Sequence, residues 1–267
     1  MKRSRVVIGV ALLGVTGAAA AAAFVASRDT AIAYGEDAAL RDFREGTQSS
    51  TATPRPTPTS GGPEGSAIVP GVYSYATTGY ESVDALGGSR HDYPATTTIT
   101  YSPTACGLEE RWRPLEGRFG ANLICDGGTG REMRTTQQER TFFGNVAAQL
   151  LVCDDGLTLL PDEPKVGDQW ARQCTGPDTQ VLLAGSVLGL EELQVGGTPV
   201  PVVHVLLEGT SSGRGVGTTR REVWLQKGTG LVVKAVGATD TSSDSLAGTT
   251  SYEERYEIVL QSLEPAT

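Results

Sequence analysis

The chain has 267 residues, 22 basic and 31 acidic, for a formal net charge of −9. That balance disfavours a nucleic-acid partner, because binding phosphates needs a basic face. Two histidines and four cysteines without C-x-x-C spacing argue against a zinc cluster, and nothing implies a cofactor.

In chain order, residues 1–5 form a basic stub (Lys2-Arg3-Ser4-Arg5) ahead of an apolar run from Val6 to Ala26, whose clearly polar member is Thr16. At about 1.5 Å per residue this run can cross a ~30 Å hydrocarbon core. It exceeds the roughly 7–15 residues of a cleaved signal. The reading is therefore an N-terminal transmembrane helix over 6–26. The basic flank predicts a cytoplasmic N-terminus and a single-pass protein of the plasma membrane, with its C-terminal domain outside. The alternative is secretion after cleavage at the small residues of Ala31-Ile32-Ala33. Residues 27–68 read as a tether. A short helix is expected around Ala38, Leu40 and Phe43, followed by a Thr/Ser/Pro/Gly-rich stretch too poor in apolar side chains to offset its ordering entropy.

From Val69 to Thr267 the texture is that of one extracytoplasmic β-domain: short alternating segments broken by Gly, Pro and Asp. Val72–Tyr75 and Thr97–Tyr101 open it. The last strand is predicted to place Tyr252, Glu254, Tyr256, Ile258 and Leu260 on one face. A turn at Pro114-Leu115-Glu116-Gly117 would set Trp112 opposite Phe119, Leu108 opposite Leu123 and Cys106 opposite Cys125. That register pairs Cys106 with Cys125 and, by default, Cys153 with Cys174; four cysteines behind an export signal allow three pairings. Gly228-Thr229-Gly230 predicts a second hairpin between Glu222–Leu225 and Leu231–Lys234. Val202–Leu207 reads as a central strand covered on both sides, and Val146–Leu151 as a helix.

The segments Val166-Gly167-Asp168-Gln169-Trp170, Gly189 to Gly197, Val203-His204-Val205 and Trp224-Leu225-x-x-Gly228-x-Gly230-Leu231-Val232 follow one another in the C-terminal half. Their order resembles a group of secreted bacterial β-domains of unassigned function, similar to lipoprotein-carrier-like half-barrels. The likeness covers roughly residues 160–240. It implies a curved antiparallel sheet, a half-barrel or open barrel with at most one or two short helices, able to cradle acyl chains. It brings no catalytic residues.

Several chemical motifs are read as structure. Gly209-Thr210-Ser211-Ser212-Gly213 fits G-x-S-x-G, but the strand–helix context of a hydrolase is missing, so it reads as a hairpin loop. His204 reads as a satisfied core histidine and His91 as a solvated loop residue. Asp154-Asp155-Gly156 reads as a turn beside a cystine, not a calcium loop. Asp240 and Asp244 read as solvated loop. Glu253 and Glu254 point to opposite faces and cannot act together. Trp112, Phe119, Trp170 and Trp224 are the candidates for lining a ligand groove, with core packing as the alternative. The expected function is non-enzymatic: a membrane-tethered domain that binds an apolar or envelope-derived ligand, such as a lipid. The alternative is an interaction or sensing module that docks an envelope protein, and a serine hydrolase ranks third.

Overall fold

The structure, a computed structural model, describes residues 29–49, 67–127, 130–245 and 248–267. The apolar run Val6–Ala26 lies outside them, and among the described residues no helix is long and apolar enough to cross a membrane. The strands are β1 (Gly71–Val83), β2 (Ser89–Asp92), β3 (Thr96–Pro103), β4 (Gly107–Leu115), β5 (Arg118–Gly127), β6 (Gly130–Phe142) and β7 (Asn145–Pro161). They continue with β8 (Gln169–Thr175), β9 (Thr179–Val195), β10 (Thr198–Gly213), β11 (Gly215–Gln226), β12 (Val232–Ser245) and β13 (Gly248–Leu260).

All join one antiparallel sheet: from β3 to β13 each strand pairs with the next along the chain, β1 pairs with both β2 and β3, and β13 pairs back onto β1. The ring is thus closed, where a half-barrel or open barrel was expected. One edge of β1 carries β13 from Tyr75 to Val83; the other carries β3 along Gly71–Ala76 and then β2 along Tyr80–Val83. Closure removes the exposed edges that an open sheet would present. The ring thins at one place, where β7 meets β8 through the single pair Val152–Thr175. The Cys153–Cys174 disulfide lies beside that pair; the other disulfide joins Cys106 to Cys125, as expected.

Inward-facing residues of β1, β3 and β9–β13 form the main core. Tyr75, Tyr101, Val203, Val205 and Ala235 are wholly buried within it. The buried phenols find acceptors: Tyr73 at the Val69 carbonyl (2.8 Å), Tyr75 at the Val232 carbonyl (2.7 Å) and Tyr101 at Glu110 (3.1 Å). Large aromatic area is thereby buried without orphaning a hydroxyl. A smaller cluster of Met133, Leu151, Leu157 and Val181 packs around the Cys153–Cys174 bridge.

Several local expectations change. Val146–Leu151 is the start of β7, not a helix: Phe143 and Gly144, both at positive φ, make a two-residue turn that pairs Phe142 with Asn145. Hairpin pairing here overrides the helical propensity of Ala, Gln and Leu. In the first hairpin the turn is Glu116-Gly117 and a bulge follows Trp112. The register is therefore one residue off the expected one, with Trp112 opposite Gly120 and Leu108 opposite Ile124. Asp154-Asp155-Gly156 is a bulged stretch inside β7. Asp240 and Asp244 sit on β12, where Arg255 Nη2 donates to both carboxylate oxygens of Asp240, at 2.8 and 2.9 Å. The outer side of Val202–Leu207 is only half covered, with His204 and Leu206 partly exposed.

The segment read as the beginning of the tether is attached to the barrel. Ala33 bridges to Leu115, Glu116 N–H donates to the Ile32 carbonyl (2.8 Å), and the Phe143 N–H donates to Asp29 (2.8 Å). The expected helix is present as α1 (Glu36–Ser49), with Glu36 and Asp37 in its first turn complementing the helix dipole. Its Ala39 is buried and Leu40 and Phe43 are half-buried; the helix packs on β1 and β3. Arg44 holds the Thr267 carbonyl at 2.8 Å and Ser74 donates to Glu36 at 3.0 Å.

Candidate functional site

Above the core the barrel is hollow. A cavity of about 850 Å³ runs up to the end where the β6–β7, β8–β9 and β10–β11 hairpins turn, with Val146, Asp178 and Arg214 at its rim. That volume lies within the range of small-molecule sites. Small inward residues on β5 and β10–β12 make the room. At Gly237, for example, a Cβ would stand 2.2 Å from the Tyr256 ring, so only glycine lets that ring lie across the strand. One wall is apolar, formed by Met133, Leu151, Leu157, Val181, Leu183 and Leu207. Polar side chains share the lining, among them Asn122, Gln138, Arg140, Thr219, Thr239 and Thr241.

Of the four aromatic candidates, Trp112 lines this cavity. Its indole N–H donates to Thr97 at 3.1 Å, and its ring meets Tyr93 edge-on and Tyr256 at 4.7 Å. Trp170 packs between the two apolar clusters and is not part of the lining. Phe119 alternates with inward Arg118 and meets Arg111 on the outer face. Trp224 is also on the outer face, stacked on His204 at 4.0 Å, with its N–H on Glu191 at 2.9 Å. The four residues share no groove because strand alternation sends Phe119 and Trp224 outward.

Beside the cavity lies a buried ionic network that the sequence reading missed. Glu81 on β1 and Glu254 on β13 face each other across the closing seam and are 0% and 3% exposed. Arg118 reaches Glu254 with two donors, Nε at 2.8 Å and Nη2 at 3.2 Å, and its Nη1 satisfies the Phe119 carbonyl. Tyr93 donates to Glu254 at 2.5 Å and Tyr252 to Glu81 at 3.2 Å. His91 is buried, not solvated. Its Nδ1 is 3.2 Å from Glu81, its Nε2 is 3.3 Å from Asp29, and its ring stacks on Phe142 at 4.5 Å. Its signal was weak because Ser-Arg-His-Asp is too short and polar to read as a strand. Burial alone would raise the pKa of Glu254; the Arg118 charge and hydrogen bonds outweigh it and hold the carboxyl below its ordinary value.

His91 goes the other way. The hydrogen bond to Glu81, helped by the Asp29 and Glu81 charges, raises its pKa against the effect of burial. The folded state therefore binds a proton more tightly than the unfolded chain. This stabilisation is full below the ordinary imidazole value of about 6.5 and is lost as pH rises through the higher folded value. Urea midpoints measured from pH 5.5 upward are expected to fall across that window, and to fall less in His91→Gln. Identical pH profiles for the two proteins would show that His91 does not titrate in this range.

Ser211 sits on β10, lining the cavity, and donates to the Gly217 carbonyl at 3.3 Å. The two histidines are engaged elsewhere, His91 with Glu81 and Asp29, His204 with Glu191 (3.0 Å) and Glu222 (3.1 Å). Among the described residues no group of His, Cys, Asp and Glu is arranged to hold a metal ion.

No protein-family model and no curated protein matches the chain. Among solved structures it is similar to the hypothetical lipoprotein YmcC from Escherichia coli (K12), at 14% identity and a TM-score of 0.32. That alignment covers 70% of this chain and 87% of the other. A likeness of this degree carries no functional argument.

Proposed function

We propose that this chain is a non-enzymatic binding domain of the cell envelope, anchored to the membrane through its N-terminal apolar run, whose barrel cavity holds a lipid-like ligand. The observation that carries the reading is the cavity itself: about 850 Å³, lined by both apolar side chains (Met133, Leu151, Leu157, Val181) and polar ones (Asn122, Gln138, Thr219, Thr239). A site with that mixture suits a molecule with one apolar and one polar part. Native mass spectrometry of the full chain, released from detergent, tests it. The expected result is extra mass that leaves on denaturation and is identified as lipid. Thr219→Trp, which places an indole in the cavity, is expected to lose that mass while remaining folded. A bare native protein that also takes up no added lipid would overturn the reading.

A second reading, docking of an envelope protein, is favoured by exposed apolar residues on β7 and β9. Val146, Leu150, Leu182 and Leu190 are 63, 49, 56 and 50% exposed. Isolated surface apolar residues are ordinary; an interaction face needs them to form one contiguous patch. In-membrane crosslinking from position 150 would recover a defined partner on this reading and none on the first.

A further inference from the structure

The cavity inverts the charge of the chain. Arg118, Arg140, Arg214 and Arg221 line it against three carboxylates (Glu110, Asp178 and Glu254), while Arg220 at its edge is half exposed and paired with Glu208 and Glu222, in a protein of net charge −9. Arg118 is saturated by Glu254 and the Phe119 carbonyl. Two others are not. Arg140 donates through Nη2 to Gln138 at 2.7 Å and lies 4.0 Å over the Tyr252 ring, but its buried Nε has no acceptor. Glu254, whose charge it feels, is already occupied by Arg118 and Tyr93. Arg221 is 3.8 Å from Glu110, beyond hydrogen-bond length, and its buried Nε is also without an acceptor. Glu110 is already engaged by Asn122 (3.0 Å) and Tyr101 (3.1 Å). Buried guanidinium donors without acceptors are costly and call for a missing partner.

We infer that the molecule held in the cavity carries an acidic group, a carboxylate or a phosphate, bound through the guanidinium groups of Arg140 and Arg221, which line the cavity and lack a carboxylate within hydrogen-bond distance. This rests on the cavity being a lipid-like site and adds the chemistry of the head. The apolar lining of Met133, Leu151, Leu157 and Val181 takes the chain, and Arg140 and Arg221 take the anion. Guanidinium matches either oxyanion with paired hydrogen bonds.

The test uses the full oxidised chain in nanodiscs of neutral phosphatidylcholine, with empty discs as the blank. It is titrated with palmitate, with hexadecanol and with inorganic phosphate. Palmitate is expected to bind at least about tenfold more tightly than the alcohol of equal length. In Arg140→Gln/Arg221→Gln the palmitate affinity is expected to fall to that of the alcohol. Hexadecanol binding should be unchanged there, which also shows that the variant is folded. Lys227→Gln, at an exposed turn, should behave as the native chain. Equal affinity for acid and alcohol in the native protein would overturn the acidic head and leave the lipid site standing. Binding of neither would remove the lipid site itself. Binding of phosphate without palmitate, abolished in the double variant, would overturn the amphiphile and keep only the anion.

Discussion

Glu254→Ala is expected to destabilise the barrel by about 3–5 kcal/mol, because it strands the guanidinium of Arg118 in the interior. Both side chains are almost fully enclosed, 4% exposed for Arg118 and 3% for Glu254. Removing one leaves a nearly enclosed charge without a full partner, since Glu81 is 3.8 Å from Arg118 and already holds His91 and Tyr252. The neighbour Glu253 is the control. It points outward, is 44% exposed and accepts from Tyr80, so Glu253→Ala should cost under about 1 kcal/mol. Urea midpoints of the two variants check this, and equal shifts would refute the buried pair as a brace. Replacing both partners, Glu254→Leu with Arg118→Met, is expected to recover much of the loss, as it does for buried ion pairs generally. Acid should mimic the deletion. The pKa of Glu254 is depressed in the folded state, so its contribution is complete above the ordinary carboxylate value of about 4.3 and is lost as pH falls through the lower folded one.

The second large effect concerns the two disulfides, which span similar lengths of chain, 19 and 21 residues apart. Loop entropy alone gives each about 3 kcal/mol. Their surroundings separate them. Cys106 and Cys125 flank a hairpin whose strands stay paired from Gly107 to Leu115 without the bridge. Cys153 and Cys174 join β7 to β8, which share one backbone pair. Cys153→Ala/Cys174→Ala is therefore expected to lose more than the entropic share, and to raise hydrogen exchange in β7 and β8 ahead of global unfolding. Cys106→Ala/Cys125→Ala should lose about the entropic share with protection in β4 and β5 retained. Uniform exchange in both variants would mean that the thin seam is held by packing and not by the bridge.

The parts of this architecture that could be read from the sequence include those where alternation is strong. The inward face of β13 belongs to this group; the Gly228–Gly230 hairpin was legible from its turn glycines, and the Cys153–Cys174 bridge followed by default once Cys106 was paired with Cys125. The closed ring and its cavity could not be read, for a physical reason. Near the mouth the inward positions are themselves polar, Thr239 and Thr241 on β12 and Thr219 on β11, so both faces of those strands look solvated and the period-two signal disappears. That is why Asp240 and Asp244 resembled loop. The ionic network was hidden differently. Its members come from β1, β2, β5 and β13 and from Asp29, and no spacing in the chain announces that Glu81 will face Glu254. A carboxylate on the apolar face of β13 was the one available hint.

Asp29 is fastened at the end of the barrel where the β6–β7 hairpin turns, and the cavity opens at that same end. With the apolar run to Ala26 as the proposed membrane span, the two residues between it and Asp29 give a leash of about 10 Å. The Thr/Ser/Pro/Gly-rich stretch after Ser49 cannot lengthen it, because α1 before it and β1 after it are both fixed to the same barrel. The domain would then stand against the bilayer with its mouth turned toward the headgroups. A lipid could pass between leaflet and barrel without crossing open water.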